Sequence, residues 1–147
     1  MLHTPCGQCA LPQLTCICAL IQPISTQARF VMLSAAKEFE RPSNTGRLLK
    51  LLNPDATTII GWERKRPSAE LLQILQTQPE AYLVFPASSD SQTSRLVSQV
   101  RGPAPLFILL DGTWQEARKI QRKSDYLDAL PLLALPEDLQ SAYPLRA

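Results

Sequence analysis

A chain of 147 residues, 45% apolar and 19% charged, has the makeup of a folded domain, too short for two ordinary domains and too apolar for a disordered tail. A formal net charge of +2 does not by itself point to nucleic acid, and the absence of any run of 18 apolar residues excludes a membrane-spanning helix. At this size roughly two-thirds of the unfolded surface is buried on folding, so disulfides are not needed for stability.

The N-terminus, "MLHTPCGQCALPQ", has no basic region followed by a long apolar stretch, so it does not read as a secretory signal; a cytoplasmic protein is expected. All four cysteines follow at once, in "CGQCALPQLTCIC". Cys6 and Cys9 form a C-x-x-C pair, and Cys16 and Cys18 a C-x-C pair six residues later. Four thiolates this close suit one tetrahedral ion, zinc being the usual choice for four sulfurs, and Pro5, Gly7 and Pro12 suit the turns of a knuckle. Disulfides fit a cytosolic chain poorly. A thioredoxin-like redox pair would need a strand before Cys6, and none is indicated. Four ligands leave no open position, so the metal is read as structural. His3, the one histidine, sits too near the terminus to be a good general base.

Beyond the cysteines, short apolar runs alternate with helical patterns. Strands are expected at 28–33, 57–62, 81–86, 106–110 and 130–135, because continuous apolarity bounded by turn residues marks strands buried on both faces. Helices are expected at 44–52, 68–76, 93–100 and 113–123, the last being the strongest pattern. The alternation predicts an α/β domain with a mostly parallel sheet and helices on both faces. Basic residues concentrate in "ERKRP" (63–67) and "RKIQRK" (118–123). Such runs are commonly solvated faces, and Arg64, Lys65, Arg118 and Arg122 are also the candidate contacts to RNA.

Three predicted strand ends draw attention because ligands of open α/β sheets bind outside the carboxyl ends of strands. "LFILL" (106–110) runs into Asp111 and Gly112, and the next residues, Thr113 to Glu116, fit a capping box. Asp111 itself is either a ligand-facing carboxylate or a turn cap. "VFPASSD" (84–90) leaves its strand through Pro86, Ala87 and Ser88, small residues that leave room. "SNTGRLL" (43–49) puts Asn44, Thr45 and Gly46 at an expected helix start, where free N–H groups suit a carboxylate or phosphate. Ordinary turn and cap chemistry would account for both of these segments as well.

"CGQCALPQLTCIC", "RPSNTGRL", "VFPAS" and "LDGTWQEARK" occur in that order, and with them the chain resembles the DTW-domain family, the tRNA-uridine aminocarboxypropyltransferases. The family's name is that of the element seen here as Asp111, Thr113 and Trp114, and its bacterial members acting in the tRNA variable loop are the most similar. The resemblance runs from Cys6 to about Arg146. It implies a SPOUT-like knotted fold and transfer of the 3-amino-3-carboxypropyl group of S-adenosylmethionine (SAM) to N3 of a uridine in tRNA, with methylthioadenosine as by-product.

Carried over by residue, Cys6, Cys9, Cys16 and Cys18 would hold zinc. Pro86, Ala87, Ser88, Asp111, Gly112, Thr113 and Trp114 would line the pocket for SAM and uridine, and Asn44, Thr45, Gly46 and Arg47 would form a further element on the substrate side. Family members continue past the equivalent of "YPLRA" (143–147) with a segment that helps to close the knot, so the resemblance implies reduced activity for a chain ending at Ala147.

The implied reaction needs a base for the weakly acidic N3, and Asp111 is the carboxylate at a predicted strand end within a family motif. Arg47 or the helix start at Thr113 would receive the carboxylate of the transferred group. Two other readings stay open: a zinc-knuckle RNA-binding module without catalysis, and a SPOUT-type SAM-dependent RNA methyltransferase.

Overall fold

Six strands and four helices form from these patterns in the computed structural model, which describes residues 4–41, 44, 46–87, 90–140 and 142. The strands are β1 (Arg29–Ser34), β2 (Thr57–Gly61), β3 (Ala81–Val84), β4 (Leu96–Val97), β5 (Leu106–Asp111) and β6 (Leu132–Leu133). They make one sheet in the order β2-β1-β5-β3-β6-β4, and every pairing is parallel. The helices are α1 (Gly46–Leu52), α2 (Ala69–Thr77), α3 (Asp90–Thr93) and α4 (Trp114–Lys123). No helix among the described residues is long and apolar enough to cross a membrane.

Alternation along the strands assigns the two faces of the sheet. Val31, Leu33, Ile60, Leu83 and Ile108 cluster with Leu71 of α2 and with Ala117 and Ile120 of α4, all buried. On the other face Phe107 lies between Phe30 and Tyr82, with ring centroids 5.7 and 6.2 Å away. There α1 brings Gly46 so near Met32 that a Cβ at Gly46 would stand 2.9 Å from the Met32 methyl.

The segment 93–100 departs from the expected helix. Helix α3 ends at Thr93, and Leu96 and Val97 instead form the edge strand β4 beside β6. A weak helical pattern with serines at 94 and 98 is overridden by tertiary bonds. Leu132 donates its N–H to the Arg95 carbonyl at 2.9 Å. The Arg95 guanidinium binds the carbonyls of Leu127 and Leu130. The expected strand at 130–135 is cut to two residues between Pro131 and Pro136, and the one at 81–86 stops before Phe85 and Pro86.

Candidate functional site at the carboxyl edge of the sheet

From β1 the chain moves to one side to form β2, then crosses to form β3, and β5 later fills the place between β1 and β3. That gap is the topological switch point, where open parallel sheets bind ligands. Ser34 and Asp111, the last residues of β1 and β5, stand in register there, and Ala35 donates its N–H to the Asp111 carbonyl at 2.9 Å.

The Asp111 carboxylate is held on the α1 face. Ser34 donates its hydroxyl to Oδ2 at 2.8 Å, and the Asn44 amide donates to Oδ2 at 3.0 Å and Oδ1 at 3.2 Å. Asn44 also donates to Glu38 at 2.6 Å and accepts the Arg47 N–H at 3.1 Å, so it caps the start of α1. A Cβ on Gly46 would meet Asp111 Oδ2 at 3.1 Å and Asn44 Oδ1 at 3.2 Å, which explains why this position carries none. Glu38 is buried, and Arg41 ion-pairs with it and with Glu116, the latter at 2.8 Å. A cavity of about 50 Å³ opens beside Asp111, lined also by Ser34, Glu38, Asn44 and Arg47.

The helix after Gly112 starts with the expected capping box: Thr113 accepts the Glu116 N–H at 3.2 Å, and Glu116 accepts the Thr113 N–H at 2.8 Å. The Thr113 N–H is thus engaged within the protein. That bond, with Arg41 alongside, holds the Glu116 carboxyl below its ordinary value of 4.5. Glu116 therefore stabilises the fold fully above that value, and the contribution is lost as pH falls through the lowered folded one. Thr113→Ala is expected to lower stability by about 1 kcal/mol, with Thr113→Ser close to wild type. A urea midpoint that does not move in the alanine variant would show the cap to be inert.

Trp114 is 59% exposed, with its ring stacked on Phe85 at 5.5 Å and 18° between planes. It therefore joins the Gly112 turn to the loop after β3, where Pro86 is exposed and Ala87 half-buried. Thr45, Ser88 and His3 lie outside the described residues.

The cysteines converge as their spacing predicts: all four Sγ atoms lie within 4.8 Å of one another. Cys6 and Cys18 are 3.7 Å apart and Cys9 and Cys16 3.8 Å, far beyond a disulfide bond, and all four are free thiols. Backbone N–H groups, that of Cys9 first and then that of Gln8, lower the Cys6 thiol to about 6. Desolvation and the crowding sulfurs push Cys18 up to about 12. Four sulfurs this close ionise together only around a cation, so the donor set is compatible with a metal ion.

Arg64, Lys65, Arg118 and Arg122 are exposed, as solvated or nucleic-acid-facing cations must be. Ser34, Glu38, Arg41 and Phe85 were not indicated by the sequence; each joins the site by pairing across the sheet edge, and only Ser34 carries a local signal, a polar residue at the end of an apolar run.

Architecture and site together define an α/β protein with a hydrogen-bonded polar cluster at the switch point of a parallel sheet and a four-cysteine cluster before it. The chain belongs to the DTW-domain family, whose model matches residues 3–147. It is 31% identical over 131 residues to tRNA-uridine aminocarboxypropyltransferase 2 of Drosophila melanogaster, covering 85% of this chain and 51% of that protein. It is 23% identical over 145 residues to tRNA-uridine aminocarboxypropyltransferase 2 of Mus musculus, covering 96% of this chain and 49% of that one. The chain thus spans about half the length of these curated relatives. No solved structure matches.

Proposed function

We propose that the chain transfers the 3-amino-3-carboxypropyl group of SAM to N3 of a uridine in tRNA. Membership of the DTW family over nearly the whole chain carries this reading, and the relatives' names state aminocarboxypropyl transfer to tRNA uridine for those proteins. The Asp-x-Thr-Trp element that names the family begins at the switch-point carboxylate, in support of a role for Asp111 in the chemistry.

In this mechanism Asp111 takes the N3 proton. Oδ2 is occupied by Ser34 and Asn44, whereas Oδ1 carries one long bond from Asn44 and keeps acceptor capacity. The adjoining cavity of about 50 Å³ fits a water rather than a pyrimidine, so one water relays the proton from the ring to Oδ1. The N3–carbon bond forms as the carbon–sulfur bond breaks; the electron pair stays on sulfur, and methylthioadenosine leaves. Arg47, which lines the same cavity, binds the carboxylate of the moving group. Pro86, Ala87, Ser88, Gly112, Thr113 and Trp114 form the SAM side of the pocket, with the Trp114–Phe85 stack as its apolar platform. A SPOUT-like knotted sheet is part of this reading; it is supported by β5 entering between β1 and β3, and β6 between β3 and β4.

Zinc is the metal assigned to Cys6, Cys9, Cys16 and Cys18. A tetrahedron with Zn–S bonds of about 2.3 Å spaces its sulfurs about 3.8 Å apart, close to the Cys6–Cys18 and Cys9–Cys16 separations of 3.7 and 3.8 Å. Its role is structural, because the four sulfurs fill the coordination sphere.

Incubation of unmodified tRNA with the protein and SAM, followed by nucleoside mass spectrometry, tests the function. A uridine heavier by an aminocarboxypropyl group is the expected product. A methyl-sized gain would make the chain a methyltransferase, and tRNA binding without any modified nucleoside would make it a binding module.

A further inference from the structure

On the α4 side of the carboxyl edge, away from the Asp111 carboxylate, lies a cleft of about 450 Å³. We propose that it holds one nucleotide of single-stranded tRNA, the base against Trp62 and the flanking phosphates on Lys37, Arg64 and Lys119. This inference rests on the reading of tRNA as substrate and adds where and how the strand is gripped.

Three segments far apart in sequence supply the cations. Lys37 follows β1, Arg64 follows β2, and Lys119 belongs to α4. The two basic runs at 63–67 and 118–123 thus meet at one opening, with a third cation that neither run contains. None of the three has an ion-pair partner among the described residues. Glu116 also lines the cleft, but its carboxylate is already engaged by Arg41 and the Thr113 N–H. The cleft therefore presents an uncompensated positive wall.

Trp62 gives that wall a π-surface with a fixed position. Its indole N–H donates to the fully buried Ser124 hydroxyl at 2.7 Å, and the Tyr126 hydroxyl donates to the Glu63 carbonyl at 2.8 Å. A pre-positioned aromatic ring beside cations is how proteins hold an unpaired base and its backbone. The volume falls in the range of small-ligand sites, about 300–1,000 Å³, so an unstacked nucleotide fits and a base pair inside a duplex does not. Charge separates a nucleotide from SAM: SAM bears a sulfonium and an ammonium against one carboxylate and is a net cation, which three unpaired cations disfavour.

The test is fluorescence anisotropy with a short fluorescein-labelled oligouridylate, without SAM, across a salt series. Lys37→Glu with Lys119→Glu is expected to weaken binding at least tenfold and to reduce the log–log salt slope by about one per cation lost. Trp62→Leu is expected to weaken it by roughly 5- to 150-fold with an unchanged slope, the span of one base–aromatic stack. Trp62→Phe keeps a ring and is expected to retain most of the affinity. The lysine variants alter exposed tips, so they decide the matter even if Trp62→Leu unfolds on melting.

Unchanged affinity and slope in the double lysine variant would overturn the proposal. So would a blunt RNA duplex competing as well as the single strand, or SAM displacing the oligonucleotide. Because no transfer is measured, the cleft can fail while nucleoside mass spectrometry still finds the aminocarboxypropyl product, and the reverse.

Discussion

Asp111→Asn is expected to slow single-turnover product formation by roughly 10²–10⁴-fold, the usual span for loss of a general base. Asparagine keeps the size of the side chain and removes the proton acceptor at Oδ1. It also disturbs the network. If its carbonyl takes the Oδ2 place, it keeps the bonds from Ser34 and Asn44, but its amide then faces the Asn44 amide, now 3.2 Å from Oδ1. Two donors so opposed cost about 1–3 kcal/mol, so the melting temperature falls as well. Ser34→Ala separates the two effects: it removes one donor to Oδ2, costs about 1 kcal/mol, and leaves the carboxylate able to take a proton. If both variants lose the same stability and both turn over near the wild-type rate, Asp111 is a structural carboxylate. The base would then be water or the bound substrate.

The parts of this site that the sequence displays are those fixed by local chemistry. Asp111 stands out because five apolar residues precede it and a capped helix follows. The cysteines stand out because 13 residues contain all four, and chain geometry alone keeps their sulfurs near. What the sequence hides is register. Ser34 and Asp111 are 77 positions apart and meet because β1 and β5 pair with their ends level. Glu38, Arg41 and Glu116 look like surface charges until the loop after β1 folds onto the start of α4. Lys37, Arg64 and Lys119 are similar: two belong to visible basic runs, but only the fold brings them to one cleft that Trp62 also lines. Strand β4 was hidden because two residues leave no period to read, and its place comes from Arg95 gripping the Leu127 and Leu130 carbonyls.

Removal of the proposed zinc from the cysteine cluster is expected to release the N-terminal segment while the sheet stays folded. The reason lies in how little else holds that segment. Its two 3₁₀ turns, Gln13–Thr15 and Cys18–Leu20, bury no residue, and Leu14 and Leu20 are 73% and 80% exposed. Of the described residues in this stretch only Cys9, 5% exposed, counts as core. A few backbone bonds, such as Cys6 N–H to the Leu11 carbonyl and Ala10 N–H to the Cys6 carbonyl, close the knuckle. Ala10 holds φ at 60°, a conformation that costs a non-glycine residue about 1–2 kcal/mol. On the proposed reading a metal supplies what the missing core does not, since structural zinc gives apparent binding energies of about 10–16 kcal/mol in small zinc domains. Further along, Ile24 donates its N–H to the Leu52 carbonyl and the Asn53 amide donates to the Thr26 hydroxyl, both at 2.7 Å, which ties the following segment to the sheet domain. Elemental analysis is expected to find about one zinc per chain. In hydrogen exchange, Cys9→Ser or chelation is expected to cut protection of the Cys6 and Ala10 amides by roughly 10²-fold or more, leaving β1 and β5 amides unchanged. Transfer should persist with the tRNA bound, since none of the four sulfurs belongs to the Asp111 network. Protein purified without chelator and free of metal would remove the zinc site. Equal loss of protection across β1 and β5 would make the knuckle part of the main cooperative unit.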